Sequence, residues 1–279
     1  MRSLPWIINR SWGLLTARYR KLPDFIIIGV QKAGTSTLFE YLKLHPDLKV
    51  ATTKEVHYYD EKYRRGKFYY KSFFPLKNNK NLTGESSPFY FFHPRVPKRI
   101  FKDNPNVRLI VLLRNPVERA FSHYQHNLRK NREPIESFTE AIKNEEIRIE
   151  EDRKLCCGNR SHSCYEYKHF SYLQRGKYSE QIEKWLHFFD INQFLFLKSE
   201  DFFEYPKSQL QRCYEFLGIR NIFPKEIKVY NAGKYSHKPS DETIKSLIPY
   251  LQEENKKLSE LIGKEFRWDN IFKKDINDY

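Results

Sequence analysis

The sequence predicts an α/β fold: a single P-loop-like domain with a central, mostly parallel sheet flanked by helices. Two observations predict it. The runs at 25–29, 107–113 and 194–197 are short, almost wholly apolar and rich in β-branched or aromatic residues, the pattern of strands buried on both faces and hence of a parallel sheet. Amphipathic helical stretches alternate with these runs, which is the order of βαβ units.

The first strand, Phe25–Gly29, runs into a glycine-containing turn and then a helix at Thr35–Leu44, where Leu38, Tyr41 and Leu42 recur at helical spacing until His45-Pro46 stops it. A second short strand is expected at 48–51. The run 107–113 is the clearest strand. Pro116 opens the helix after it, where a missing N–H costs nothing, and Val117, Ala120, Phe121, Tyr124 and Leu128 share one face over 117–130. His123 and His126 read as surface residues of that helix, and Phe89, Tyr90, Phe91 and Phe92 as packing residues. The stretch 143–154 is dense in charges of both signs and, with the cysteines after it, reads as an excursion from the sheet. Further on come a helix at 178–189, a strand at 194–197 and a helix at Pro206–Leu217 ended by Gly218. A polar loop at 222–239 leads to a last helical region, Asp241–Ile262, expected to be interrupted near Pro249 and ended by Gly263. Residues 1–23 read as a basic, irregular extension, 24–272 as the domain with an excursion at 132–170 near an acceptor cleft, and 273–279 as a tail.

The chain has 279 residues, 39% of them hydrophobic and 16% aromatic, so it is neither disordered nor low in complexity. Its formal net charge of +15 points to an anionic partner such as nucleic acid, anionic lipid, an acidic polysaccharide or a phosphate-rich cofactor. No apolar run approaches the roughly 18 residues of a membrane helix. The segment around Trp6 and Trp12 is a poor signal peptide and reads as an amphipathic surface segment or the remnant of an anchored stem. Three of the 4 Cys cluster, at Cys156, Cys157 and Cys164 with His162 between. With no second ligand pair at zinc-like spacing, a loop disulfide or free thiols are expected there before a metal. Asn9, Asn81 and Asn159 begin sequons too short to settle a compartment.

The chemistry-bearing signal follows the first strand. Gly29-Val-Gln-Lys32-Ala33-Gly34-Thr35-Ser36-Thr37 resembles the phosphate-binding frame G-x-x-x-x-G-K-[ST], with Gly29 and Gly34 in register. Such a loop turns backbone N–H groups toward an anion at a helix N-terminus. Thr35, however, stands where that frame has its lysine, and the lysine comes earlier, at Lys32. The strand at 107–113 ends in Arg114, where a nucleoside triphosphatase would place a magnesium-holding carboxylate. A cation there implies a second anion, which Ser122 on the next helix is placed to share. Lys32 and Arg114 together describe a nucleotide with two separated anionic groups.

At this point the sequence resembles the sulfotransferases that use 3′-phosphoadenosine 5′-phosphosulfate (PAPS), above all the heparan-sulfate-type domain and its bacterial relatives. The strings that carry the resemblance are FIIIGVQKAGTSTLF at 25–39, TKEVHYYD at 53–60, GESSPFYFFHPR at 84–95, LIVLLRNPVERAFSHY at 109–124, YLQRGKY at 172–178 and NKKLSELIG at 255–263, with Trp268. The resemblance implies that Lys32, Ala33, Gly34, Thr35, Ser36 and Thr37 hold the 5′-phosphosulfate, that Arg114 and Ser122 hold the 3′-phosphate, and that Tyr178 and the loop Gly233-Lys234-Tyr235 line the nucleotide. It implies Glu55 as the catalytic base, Lys32 as the group that stabilises the leaving oxygen, and Lys54, His57 and Asp60 as acceptor-side or supporting residues, with His57 the next candidate base. The animal heparan-sulfate enzymes usually carry a lysine after the glutamate of the 84–88 segment, at the acceptor-side position that is Ser86 in this sequence. Ser86 stands there instead, which favours the broader bacterial-type group over a heparan-like acceptor.

The reaction implied is transfer of a sulfuryl group from PAPS to a hydroxyl or amine, the leading acceptor being a glycan. No metal and no nucleic acid partner are expected, and the oligomeric state is open. The location expected is cytoplasmic, with a Golgi-lumenal domain as the alternative. The competing readings are a P-loop kinase or triphosphatase, opposed by the shifted lysine and the missing carboxylate, and a non-enzymatic polyanion-binding protein, which explains the charge but not the ordered motifs.

Overall fold

The computed structural model describes residues 4–77, 80–158, 163–226 and 238–268. At its centre lie four parallel strands in the order β2-β1-β3-β4: β1 (Phe25–Gly29), β2 (Gly84–Ser86), β3 (Arg108–Leu113) and β4 (Phe194–Lys198). Phe25 pairs with Gly84 on one side and Arg108 on the other, and Leu109 pairs with Phe194. Every residue of β1 is buried, and so is β3 after Arg108. That double-sided burial is why these strands read as unbroken apolar runs rather than as alternating ones.

The helices are α1 (Leu4–Leu15), α2 (Thr35–Leu44), α3 (Gly66–Lys71), α4 (Val96–Asp103), α5 (Pro116–Arg129), α6 (Phe138–Lys143), α7 (Glu145–Gly158), α8 (Tyr165–Phe170), α9 (Tyr178–Leu186), α10 (Ser199–Glu204), α11 (Pro206–Leu217) and α12 (Asp241–Ile262). Their ends obey local chemistry. The Asn115 side chain accepts hydrogen bonds from the N–H groups of Val117 (3.0 Å) and Glu118 (3.2 Å), capping α5 in front of Pro116. Gly218 and Gly263 close α11 and α12 in the left-handed conformation.

Four expectations need correction. Residues 48–51 form no strand: Leu48 makes an isolated parallel bridge to Leu82, and Ala51 donates to the Gly84 carbonyl. The sheet position is taken by β2, which is short and polar but wholly buried. Its first residue is glycine because a Cβ there would lie 2.3 Å from the Phe25 ring. The N-terminal extension is not irregular, since 4–15 is helical. α12 runs unbroken through Pro249, held against α9 by Glu254, which accepts from the Ser179 hydroxyl at 2.5 Å, and against the 172–176 turn by Tyr250, whose hydroxyl donates to Leu173 O at 2.8 Å. His123 is completely buried on α5 rather than at the surface. Its burial, together with the charges of Arg175 and Arg119, pulls its pKa far down. Phe89, Tyr90, Phe91 and Phe92 are core residues, as read.

In the excursion, Cys156 and Cys164 form a disulfide that ties the end of α7 to the start of α8. Cys157 is an exposed thiol and Cys213 a buried one. His162, Asn159 and the loop Gly233-Lys234-Tyr235 lie outside the described residues.

Candidate active site

In a parallel sheet the strand ends deliver their connecting loops to one edge, where ligands bind. Here all four strands contribute. The loop after β1 leads to α2, whose N-cap is Gly34 at φ 92, and a Cβ on Gly34 would both strain that backbone and meet the Phe203 ring at 2.7 Å. Thr35, Ser36 and Thr37 form the first turn of α2, where N–H groups have no acceptor within the helix itself. The loop is pinned at its base by the Val30 N–H donating to Leu112 O (2.9 Å) and by the Ser199 hydroxyl donating to Ala33 O (2.9 Å).

β3 delivers Arg114. Its guanidinium donates to Lys32 O at 3.1 Å and pairs with Glu118 at 3.1 Å, so the end of β3 is tied to the phosphate loop. Tyr178, wholly buried at the start of α9, donates its hydroxyl to Arg114 O at 2.8 Å. Ser122 lies on α5 two turns beyond Arg114 and is buried. β4 delivers Glu200, which the sequence reading missed: it accepts from the Asn115 N–H (2.9 Å) and from Trp268 Nε1 (3.1 Å), fixing the entry to α5. A glutamate in an amphipathic segment carries no sequence signal for that task.

The cations crowd. Burial, followed by the charges of Arg129, Arg114, Arg119 and Lys54, lowers the Lys32 amine to about 8. Such a concentration of positive charge at a helix N-terminus fits a polyanionic group, and the hydroxyls of Thr35, Ser36 and Thr37 suit its oxygens.

β2 delivers the acidic side of the site. The Glu55 N–H donates to Ser86 O at 2.9 Å, so the glutamate reaches the sheet edge through β2 and not through a strand of its own. Ser86, expected on the acceptor side, is fully buried and its hydroxyl has no partner among the described residues; it anchors Glu55 through its backbone and offers no side-chain surface to an acceptor. Glu55 (φ 56) and His57 (φ 52) both adopt the left-handed conformation, which turns their side chains toward each other. His57 Nε2 lies 3.3 Å from Glu55, and His57 Nδ1 lies 2.6 Å from Asp60. Burial pulls the imidazole down, but the bonds to Asp60 and Glu55 outweigh it and raise His57 to about 10. Burial pushes Glu55 up, but the His57 bond and the Lys54 charge prevail and hold it at about 2. Burial likewise opposes the ionised form of Asp60, and His57 restores it, keeping that carboxyl below its ordinary range.

Beneath this turn lies a buried hub that the sequence did not reveal. Glu85, wholly buried, accepts from the hydroxyls of Tyr70 (2.5 Å), Ser87 (2.7 Å) and Tyr90 (3.1 Å), and Tyr90 in turn accepts the Tyr58 N–H at 2.8 Å. The glutamate therefore sets the height of the 57–60 turn. Lys54 connects the two halves of the site: its amine donates to Ser36 Oγ on the phosphate loop and lies 3.4 Å from Glu55. On the outer side, Lys168 of α8 pairs with Glu61, and Arg175 donates to Gln31 of the phosphate loop while lying over the Phe89 ring at 4.8 Å. The structure thus gathers Lys32, Gly34, Thr35, Ser36, Lys54, Glu55, His57 and Asp60 at one edge, with Arg114 beside them.

Residues 22–278 match the family described as the sulfotransferase domain. The chain belongs to the sulfotransferase family. It is 31% identical to the heparan sulfate glucosamine 3-O-sulfotransferase 3A1 of Mus musculus, an alignment that covers 92% of this chain and 67% of the relative. It is 30% identical to the membrane-associated sulfotransferase kil1 of Dictyostelium discoideum over 89% of this chain and 67% of that protein. It thus spans about two thirds of the length of these curated relatives. Among solved structures, a sulfotransferase from Alicyclobacillus acidocaldarius superposes with a TM-score of 0.73 at 27% identity, covering 88% of this chain and 97% of the other. The kinase and passive-binding readings fall to these matches.

Proposed function

We propose that this sulfotransferase moves the sulfuryl group of PAPS to a hydroxyl of a carbohydrate acceptor, with Glu55 as base. The observation that carries the reading is Lys54, whose amine touches both the phosphate-loop Ser36 and the Glu55 carboxylate. A donor seated on the loop therefore presents its sulfur beside the only half-exposed carboxylate of the Glu55–His57–Asp60 set, Glu55 being 44% exposed, His57 17% and Asp60 0% at their side chains.

The acceptor oxygen forms its bond to sulfur as the bond from sulfur to the bridging phosphate oxygen breaks. Lys32 supplies positive charge to that departing oxygen. Glu55 takes the proton of the acceptor hydroxyl, and His57, fixed by Asp60, orients the carboxylate and balances its charge. A carboxylate held near 2 is a weak base. It suffices because the hydroxyl turns strongly acidic as its oxygen bonds to sulfur, so proton transfer is needed only late. Arg114 and Ser122 hold the 3′-phosphate and fix the nucleotide's direction. Carbohydrate as the acceptor class rests on the relatives named for heparan sulfate.

The test is a panel of glycans incubated with sulfur-labelled PAPS. Label in a glycan, lost in Glu55→Gln, supports the reading. Label that passes to no glycan but to small phenols or lipids refutes the acceptor class.

A further inference from the structure

The surplus charge is not spread evenly. Residues 10–23 contain Arg10, Arg18, Arg20 and Lys21 and no Asp or Glu, and residues 62–77 contain six Lys or Arg and again no Asp or Glu. The fold brings these two stretches together. Arg20 bridges to Leu76 in antiparallel fashion, the Lys77 N–H donates to Tyr19 O at 2.8 Å, and Arg10 lies 3.7 Å over the Phe73 ring. Gly13 turns the inner face of α1 onto the end of α3, so closely that a Cβ there would lie 2.4 Å from Ser72 O. The cations feel one another: burial, then the charges of Lys77 and Lys67, lowers Lys71.

The outer face is apolar where a soluble surface would be polar. Leu15 is 78% exposed, Phe68 62%, Trp12 57% and Tyr19 53%. Trp12 and Leu15, three residues apart, share one side of α1. Arg18 lies over the exposed Tyr19 ring at 4.5 Å and Arg65 over the half-buried Tyr69 ring at 4.9 Å, so cations stand against aromatic rings beside both helices.

We propose that the face formed by α1 and α3 seats this sulfotransferase on an anionic lipid bilayer, with Trp12, Leu15 and Phe68 entering the headgroup boundary and the surrounding arginines and lysines meeting lipid phosphates. The charge complementarity selects this occupant. Basic residues around exposed aromatic and aliphatic side chains are the signature of a helix lying in the interface plane. A polyanionic sugar chain would answer the cations but leave Leu15 and Leu14 in water. The face lies on elements other than the phosphate loop and Glu55, so docking leaves the chemistry untouched.

The full chain is floated with vesicles of phosphatidylcholine alone and of phosphatidylcholine mixed with phosphatidylserine. Retention by the mixed vesicles, reversed by salt, is expected. Trp12→Ser combined with Leu15→Ser should weaken that retention by about tenfold or more, and Arg18→Glu combined with Arg65→Glu by a similar factor, both with unchanged melting temperature and nucleotide affinity. Brominated lipid should quench part of the tryptophan emission in the native chain and not in Trp12→Phe, a readout that survives if the serine variant folds poorly. Failure to float with the mixed vesicles overturns the proposal. So does flotation that is indifferent to the Trp12 and Leu15 changes, and so does capture of soluble heparin fragments in place of vesicles, which would make the face a polyanion groove.

Discussion

Glu55 and His57 sit 3.3 Å apart with their titrations driven in opposite directions, to about 2 and about 10. The acid limb of a rate profile therefore lies far below neutrality, and the group that titrates first on the alkaline side is Lys32, lowered to about 8 by burial and by neighbouring cations. The sign follows: the free enzyme loses the Lys32 proton as pH rises through about 8, so kcat/KM should fall there while remaining flat on the acid side of neutrality. An anionic donor favours the charged amine, so the kcat limb should lie at higher pH, and donor binding near pH 8 should take up a proton, measurable by calorimetry in buffers of different ionisation heat. Glu55→Gln should keep nucleotide affinity within a few-fold and lower kcat by roughly 10²–10⁴; normal turnover would move the base elsewhere. The candidates legible in the sequence were those in ordered strings, Lys32, Arg114, Glu55 and His57, which the fold brings to one sheet edge. Glu85, Glu200 and Arg175 were not, because each takes a partner that the fold brings from 15 or more residues away, Tyr70, Asn115 and Gln31 in turn.

At the scale of the elements, the sheet was readable where burial on both faces made continuous apolar runs, as in β1 and β3. It was misread at β2, whose Glu85 is buried and satisfied by three hydroxyls that no local pattern announces. α12 was misjudged at Pro249 because tertiary packing through Tyr250 and Glu254 outweighs a local helix breaker. Gly84 tests the β1–β2 contact. Gly84→Ala should cost about 1–3 kcal/mol in urea unfolding, since the added methyl must displace the buried Phe25 ring. Asn115→Ala should cost about 1 kcal/mol for the lost cap of α5 and should loosen nucleotide binding as well, because the same turn carries Arg114. An unaltered nucleotide affinity in Asn115→Ala would separate the cap from the site.

For the whole molecule, the charge of +15 resolves into parts. Lys32 and Arg114 stand together at the sheet edge proposed to seat the donor, and a separate block of cations surrounds α1 and α3. The thiols give a further global check: without reductant the folded chain should expose one reactive thiol, Cys157, with Cys213 reacting only on unfolding and Cys156 and Cys164 only after reduction. We propose the sheet edge built from Lys32, Arg114 and Glu55 as the PAPS site. Titration of the chain with desulfated donor, 3′-phosphoadenosine 5′-phosphate, in chelator and without magnesium tests it most directly. A PAPS site there predicts micromolar binding that Arg114→Ala abolishes and Glu55→Gln leaves intact. Binding of magnesium–ATP with no binding of that nucleotide would contradict it.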